Sequence, residues 1–140
     1  MKIGLGSSEG GKHLKEKIKE YLLAKKYEII DYADEKNDIC NISYKISEAV
    51  TKGEIEKGII LDDFGIAPFM ICSKQKGIVC AQVADEHSAK MTRDHNNTSI
   101  ITIGYEITGE ALAKSICNVF AESNYSGGRH QVRVDMLNKM

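Results

Sequence analysis

Short apolar runs alternate along this chain with stretches in which apolar residues recur at helical spacing. Ile3 to Gly6 reads as a strand. Within Gly10 to Lys26, Leu14, Ile18, Tyr21 and Leu22 fall at offsets of four, seven and eight, which predicts a helix with one buried face. Tyr27 to Asp31 predicts a second strand, and the Asp, Glu, Lys and Asn residues from Tyr32 to Asn41 predict a loop. Ile42 to Lys52 is helical by pattern, with Ile42, Ile46, Ala49 and Val50 facing inward and Gly53 as its C-terminal cap. The unbroken apolar run Gly58 to Leu61 suits a strand buried on both faces. A loop from Asp62 to Pro68 then leads into a short helix. Ile78 to Val83 is a fourth strand, and Asp85 to His95 a helix capped by Asp85. Ser99 to Ile103 is a fifth strand. A helix runs from Thr108 to about Glu122, and the Gly127-Gly128 turn opens a last one.

Strands separated by helical segments, with a single proline and no low-complexity linker, predict one doubly wound α/β domain over residues 1–140. In such sheets ligands bind beyond the carboxyl ends of the strands. That rule selects Ser7 to Gly11, Asp62 to Pro68 and Val83 to His87.

The balance of charge narrows the function classes. With a formal net charge of -1 the chain lacks the basic excess of a dedicated nucleic-acid binder. No apolar run approaches membrane-spanning length, and Met1 leads straight into a strand without a signal-peptide pattern, so the expected location is the cytoplasm. Cys40, Cys72, Cys80 and Cys117 form no C-x-x-C pair and no zinc spacing. They read as free thiols, with Cys72, Cys80 and Cys117 in apolar surroundings.

Four segments carry candidate chemistry. Near the C-terminus, Arg129 and Arg133 lie four residues apart after the two glycines. On one helix face their guanidinium forks would converge on a phosphate, although a solvated basic face has the same spacing. The Gly-rich loop Gly4-Leu5-Gly6-Ser7-Ser8-Glu9-Gly10-Gly11 opens a helix, as a plain tight turn or as an anion-contacting loop. It has neither a Walker ending nor a dinucleotide fingerprint. Asp62 and Asp63 can supply a general base or a helix cap. No histidine accompanies them, so no metal is expected. Phe64 should pack, and Gly65 should let backbone approach a ligand. His95-Asn96-Asn97 ends a helix, either as its cap or as a proton-exchanging group.

Taken together these pieces resemble the ribose-5-phosphate isomerase type B and galactose-6-phosphate isomerase family. The likeness runs from Lys2-Ile3-Gly4-Leu5-Gly6-Ser7 through Met91-Thr92-Arg93-Asp94-His95-Asn96-Asn97 to Gly127-Gly128-Arg129-His130-Gln131-Val132-Arg133-Val134-Asp135. It implies a Rossmann-like three-layer α/β/α sandwich over a five-stranded parallel sheet. It also implies cofactor-free aldose–ketose isomerisation of a phosphorylated sugar through an enediol(ate), at sites shared between subunits. His95 matches the family's ring-opening histidine, Asn96 the residue beside it, and Arg129 and Arg133 the phosphate arginines. The assembly implied is a homo-dimer or tetramer, or a hetero-oligomer with a cysteine-bearing B-type chain.

The first half of the family's site departs from the pattern. Asp62 stands where the catalytic cysteine belongs, Asp63 replaces a glycine and Phe64 a threonine. Ser8 and Glu9 occupy the positions of a sugar-contacting Asp-His pair, and Val79 and Glu106 stand where many relatives have arginine. Charge at Glu9, Asp62 and Asp63 opposes an approaching phosphate by about 4 kcal/mol per pair at ~4 Å. Three readings follow. The chain completes sites on a cysteine-bearing partner for galactose 6-phosphate. It is a non-catalytic binding or scaffold chain. Or it is a homomeric isomerase of another sugar phosphate (ribose or allose phosphate), with Asp62 as base.

Overall fold

The computed structural model describes residues Met1–Met140. Five parallel strands, β1 (Lys2–Ser7), β2 (Glu28–Asp31), β3 (Lys57–Asp62), β4 (Cys80–Gln82) and β5 (Ile100–Gly104), form one sheet in the order β2-β1-β3-β5-β4. The helices are α1 (Lys12–Ala24), α2 (Ile39–Thr51), α3 (Ile66–Ser73), α4 (Glu86–Asn96), α5 (Glu110–Glu122) and α6 (Gln131–Lys139), with 3-10 turns at Glu9–Gly11 and Gly128–His130. The expected sandwich is therefore present. No helix is long and apolar enough to cross a membrane.

Alternation along the strands sorts the core into two layers. Ile3, Leu5, Ile59, Leu61, Ile101 and Ile103 pack against α1, α4 and α5 through Ile18, Leu22, Ala89, Ile116 and Phe120. On the other face, Ile60 and Ile100 meet α2 and α3 through Ile42, Ile46 and Cys72. Right-handed crossovers dictate this sorting. The connections β1 to β2 and β4 to β5 run in one direction along the sheet and place their helices on one face. The connections β2 to β3 and β3 to β4 run the other way and place theirs on the opposite face.

Several boundaries differ from the sequence reading, each for a local reason. The second helix starts at Ile39, because the Asp38 carboxylate accepts from the N–H groups of Cys40 (2.9 Å) and Asn41 (3.3 Å). The third starts at Ile66, so Pro68 belongs to its first turn, where a missing N–H breaks no helical bond. The fourth strand shrinks to Cys80–Gln82 at the sheet edge. The helix expected from Thr108 starts at Glu110, with Gly109 as its N-cap. Asp85 caps α4 as expected, accepting from Ser88 N at 2.7 Å.

One ion pair ties α1 to the sheet. Lys15, with 2% of its surface exposed, donates to both oxygens of Asp31 (2.8 and 2.9 Å), and Lys19 adds a third bond at 3.2 Å. Burial pushes the Asp31 carboxyl upward, but Lys15, the Ala33 N–H and Lys19 outweigh it and hold the carboxyl below its ordinary value. Stability from this pair is thus complete above the carboxylate's unfolded pKa and is lost as pH falls through the lower folded one. Asp31→Ala should cost about 3 kcal/mol, the low end for a broken buried pair because Asp31 keeps contact with water. Its loss should flatten the acid limb of stability below about pH 4. Urea unfolding of both chains at pH 3 to 7 measures each effect, and an unchanged midpoint at pH 7 would refute the first.

Candidate active site

Two clusters of polar groups form at opposite ends of the sheet. The first lies beyond the carboxyl ends of β1 and β3, where the chain winds away in opposite directions and a crevice opens. The Ser8 N–H donates to Leu61 O (2.9 Å), which locks the β1 loop to β3. Asp62 ends β3, partly buried. Burial first, and then the charge of Asp63, hold the Asp62 carboxyl above its ordinary value, against opposition from the Asp63 N–H and Ser8. The Ser8 hydroxyl is buried beside Asp62 and Tyr105 without reaching hydrogen-bonding geometry to either.

The third loop of this cluster is not the expected Val83 to His87. That segment follows the edge strand β4, whereas β5 lies next to β3. The loop after β5 takes its place. Tyr105 N donates to Asp62 O and Glu106 N to Asp63 O, both at 3.0 Å, and the Tyr105 hydroxyl donates to Asp63 Oδ1 at 2.6 Å. The Tyr105 ring lies against Gly10 and Gly11, where a Cβ on Gly10 would overlap the phenol oxygen. The Gly-rich loop is therefore covered by Tyr105.

Other residues of this cluster behave differently from expectation. Glu9 accepts a 2.6 Å bond from Asn37 Nδ2, which ties the acidic loop after β2 over the β1 turn. Phe64, expected to pack, is 54% exposed. Neither aspartate caps α3. Gly65 is its N-cap, with φ of 74°. Gly65 is needed for that left-handed turn and for close approach to β5, where an added Cβ would lie 3.0 Å from Gly104 N. Its carbonyl accepts from Thr102 Oγ1 at 2.6 Å.

The second cluster gathers where α4 and α5 end. His95 lies in the last turn of α4, and Asn97 is the left-handed residue that closes the helix, with φ of 53°. Asn96 is exposed, its Oδ1 accepting from Thr92 Oγ1 at 3.2 Å. The His95 ring stacks on His130, with centroids 4.3 Å apart and planes 17° apart. Arg129 sits in the 3-10 turn and Arg133 in α6, and the turn runs directly into the helix, so the helix expected after the two glycines is present with a 3-10 first turn. Their charges converge on His130. Burial, then the charges of His95, Arg129 and Arg133, lower its pKa against the pull of Asp94. Both arginines are exposed, and neither is in an ion pair.

The two clusters cannot meet within one chain. Helices α4 and α5 run back along parallel strands, so their last turns lie at the opposite edge from Asp62. The length of β3 from Lys57 to Asp62 alone separates the two edges by about 17 Å. Chemically, the first cluster offers carboxylates and the second offers an imidazole pair with two free guanidinium groups. No three His, Cys, Asp or Glu side chains converge as a metal site. A groove of about 590 Å³ lies between α2 and the Gln75-Lys76 turn and shares no residue with either cluster.

The sequence marks neither Tyr105 nor Asn37, and it gives His130 a weaker claim than His95. His130 had a usable signal, because it lies between the two arginines. Its low pKa should be visible by NMR as an imidazole titrating below the ordinary 6.5. His95→Asn, which removes one of the opposing charges, should move that midpoint upward. An unmoved midpoint would mean that the two rings do not face each other in solution.

Comparison with known proteins agrees with this architecture. The sequence profile described as Ribose/Galactose Isomerase matches residues 3–137. Over 140 residues the chain is 45% identical to galactose-6-phosphate isomerase subunit LacA 1 of Streptococcus agalactiae, covering 100% of this chain and 99% of that one. With the LacA subunit of Staphylococcus aureus the identity is 48% over 141 residues, with the same coverage. Ribose-5-phosphate isomerase B of Clostridium thermocellum superposes with a TM-score of 0.94 at 34% identity, covering 99% and 95% of the two chains. The Mycoplasma genitalium enzyme, solved with ribulose-5-phosphate, gives 0.91 at 27% identity, covering 98% and 93%. With nearly its whole length matched in sequence and in fold, the chain belongs to the ribose/galactose isomerase family.

Proposed function

We propose that this chain is a subunit of an aldose–ketose isomerase that interconverts galactose 6-phosphate and tagatose 6-phosphate. In this reading its His95, His130, Arg129 and Arg133 end completes sites on a cysteine-bearing partner. The observation that carries the reading is the separation of two half-sites at opposite ends of one sheet, of which only one has the charge to receive a phosphate. The relatives named as LacA subunits support the choice of sugar and the idea of a mixed assembly. The enzyme would work in the cytoplasm, where a charged sugar phosphate is retained.

The division of labour follows from the residues. Arg129 and Arg133 bind the phosphate through charge-assisted hydrogen bonds, and their exposure leaves both forks open to it. Asn96 holds a sugar hydroxyl. His95 passes a proton between the ring oxygen and the anomeric hydroxyl, which opens the sugar and exposes its carbonyl. A base on the partner then takes the proton from C2 and returns it to C1 while the O2 hydroxyl proton passes to O1, and backbone N–H groups hold the enediolate oxygen. In this chain's own crevice, Tyr105 covers the Gly10-Gly11 turn and Glu9 is bound by Asn37. Asn37 occupies one Glu9 oxygen, the Ser8 hydroxyl is buried, and Gly65 serves the loop's packing, so this crevice offers a sugar phosphate mainly negative charge.

A second reading rests on Asp62. Its partly buried, upward-shifted carboxyl has the character of a general base, so a homomeric enzyme for another sugar phosphate is its consequence. Assays of the purified chain, alone and mixed with a B-type partner, separate the two. Activity only in the mixture is the expected result. Activity of the chain alone, abolished by Asp62→Asn, would replace the first reading by the second.

Two variants of the mixed enzyme test the assigned roles. Arg129→Ala should raise KM for galactose 6-phosphate by about ten- to a hundredfold, the weight of a hydrogen bond to a charged group. His95→Asn should slow turnover of the cyclic sugar far more than that of an open-chain analogue. Equal losses on the two substrates would remove His95 from ring opening.

A further inference from the structure

Lys57 is buried at the start of β3, and the established elements of the site do not use it. Its ammonium donates to three carbonyls, Phe120 O (2.9 Å), Ala121 O (2.7 Å) and Ser123 O (2.9 Å). These are carbonyls of the last turn of α5 and its exit, which have no partner within the helix. The ammonium's three donors match the three acceptors, and a cation there also complements the negative end of the helix. Burial, with the nearby charge of Arg93, lowers its pKa to about 8. It therefore remains charged at neutral pH. No carboxylate forms an ion pair with it.

The segment leaving this cap carries the phosphate arginines. Ser123 is the last residue that Lys57 holds. Three residues on, Ser126 donates from both its N–H (3.1 Å) and its hydroxyl (3.0 Å) to Asp94 O, next to His95. Beyond the Gly127-Gly128 turn, the His130 N–H donates to Gly127 O at 3.2 Å, and His130 stacks on His95. Residues 123–130 are thus a strap held at its start by Lys57 and by the bonds of Ser123 N and Oγ to Val119 O (3.1 and 2.6 Å), and midway by the Asp94 carbonyl, with the Tyr125 hydroxyl donating to Gln131 Oε1 at 2.9 Å. Glycines follow the midway fixing, so the strap has no rigidity of its own to seat Arg129.

We propose that Lys57 is a positioning residue for the phosphate half-site, fastening the α5 exit so that Arg129 and His130 come to rest beside His95. This deepens the proposed function and rests on it for the identity of the ligand. Lys57 touches no substrate. It acts through the strap, so its loss weakens binding of the phosphate group equally in ground and transition states, which raises KM and leaves kcat alone.

The test combines amide exchange of the purified chain with kinetics of the mixed enzyme on galactose 6-phosphate. Lys57→Met keeps volume and removes all three donors. It should speed exchange at the Ser126 and His130 amides at least tenfold while the middle of α5 stays protected. It should also raise KM about tenfold, with kcat within twofold. Wild-type exchange in that variant overturns the proposal. So does a fall in kcat with KM unmoved, because that places the effect on chemistry. Should Lys57→Met fail to assemble, Lys57→Gln reads the same two quantities with part of the donor set kept. An inactive wild-type mixture defeats the assigned reaction alone, since exchange still decides whether Lys57 holds the strap.

Discussion

The parallel direction of all five strands is the constraint on which the rest of this structure depends. A parallel neighbour can be reached only by a crossover, so each helix that joins two strands must run back against them. Loops that follow strands then collect at one edge, and helix ends collect at the other. Asp62 and Tyr105 belong to the first edge, and His95, Arg129 and His130 to the second. A site that needs both kinds of group is open in a single chain by topology, however well each half is built. In the proposed assembly a second chain closes it, and the residues at each edge decide which partner makes a working site.

Much of this was legible in the sequence because burial enforces periodicity. The apolar run at Gly58 to Leu61 announced the central strand, since a strand covered on both faces cannot alternate. Asp85 announced a helix start through the bond that its carboxylate makes to Ser88 N. The pairing of His95 with the arginine segment was read from resemblance, and the stacked His95 and His130 rings supply its physical counterpart. What stayed hidden was long-range. Nothing local to Ser99 to Ile103 tells that β5 inserts between β3 and β4, yet that insertion brings Tyr105 rather than the Asp85 turn to the crevice. Phe64 misled because its loop is fixed by backbone: Gly65 O accepts from Thr102, and Phe64 O accepts from Gln82 Nε2 at 2.8 Å. With the backbone carrying the fixing, the ring is left in solvent.

Lys57 shows a second limit of pattern. A lysine before an apolar run reads as a strand's solvated first residue. It is buried here because α5 ends above it with carbonyls to satisfy, a fact of three-dimensional placement. The same need accounts for Arg93, which is 9% exposed and donates to Thr98 O at 2.6 Å and Asn97 Oδ1 at 3.0 Å, where α4 ends. The edge that holds Arg129 and Arg133 is thus stiffened by two buried cations at helix ends, whereas Arg129 and Arg133 themselves lie exposed outside that layer.

The charges at the two edges bear on the choice between self-association and a mixed assembly. If two copies of this chain faced each other, the edge carrying Asp62, Asp63 and Glu9 would meet Arg129 and Arg133. Carboxylates and guanidinium groups attract with or without a substrate, so the arginines would be partly neutralised and a phosphate would have to displace the pairing. Tyr105 and Asn37 blunt this by each occupying a carboxylate oxygen, at 2.6 Å in both cases, but they cancel no charge. A partner with an uncharged thiol at the end of its β3 has no anion to set against the arginines. The phosphate then supplies the counter-charge itself, and its binding energy is not spent on breaking ion pairs. In the proposed reading, the acidic residues at one edge and the arginines at the other therefore favour the same outcome: a subunit whose own crevice repels a phosphate and whose arginines serve a different chain.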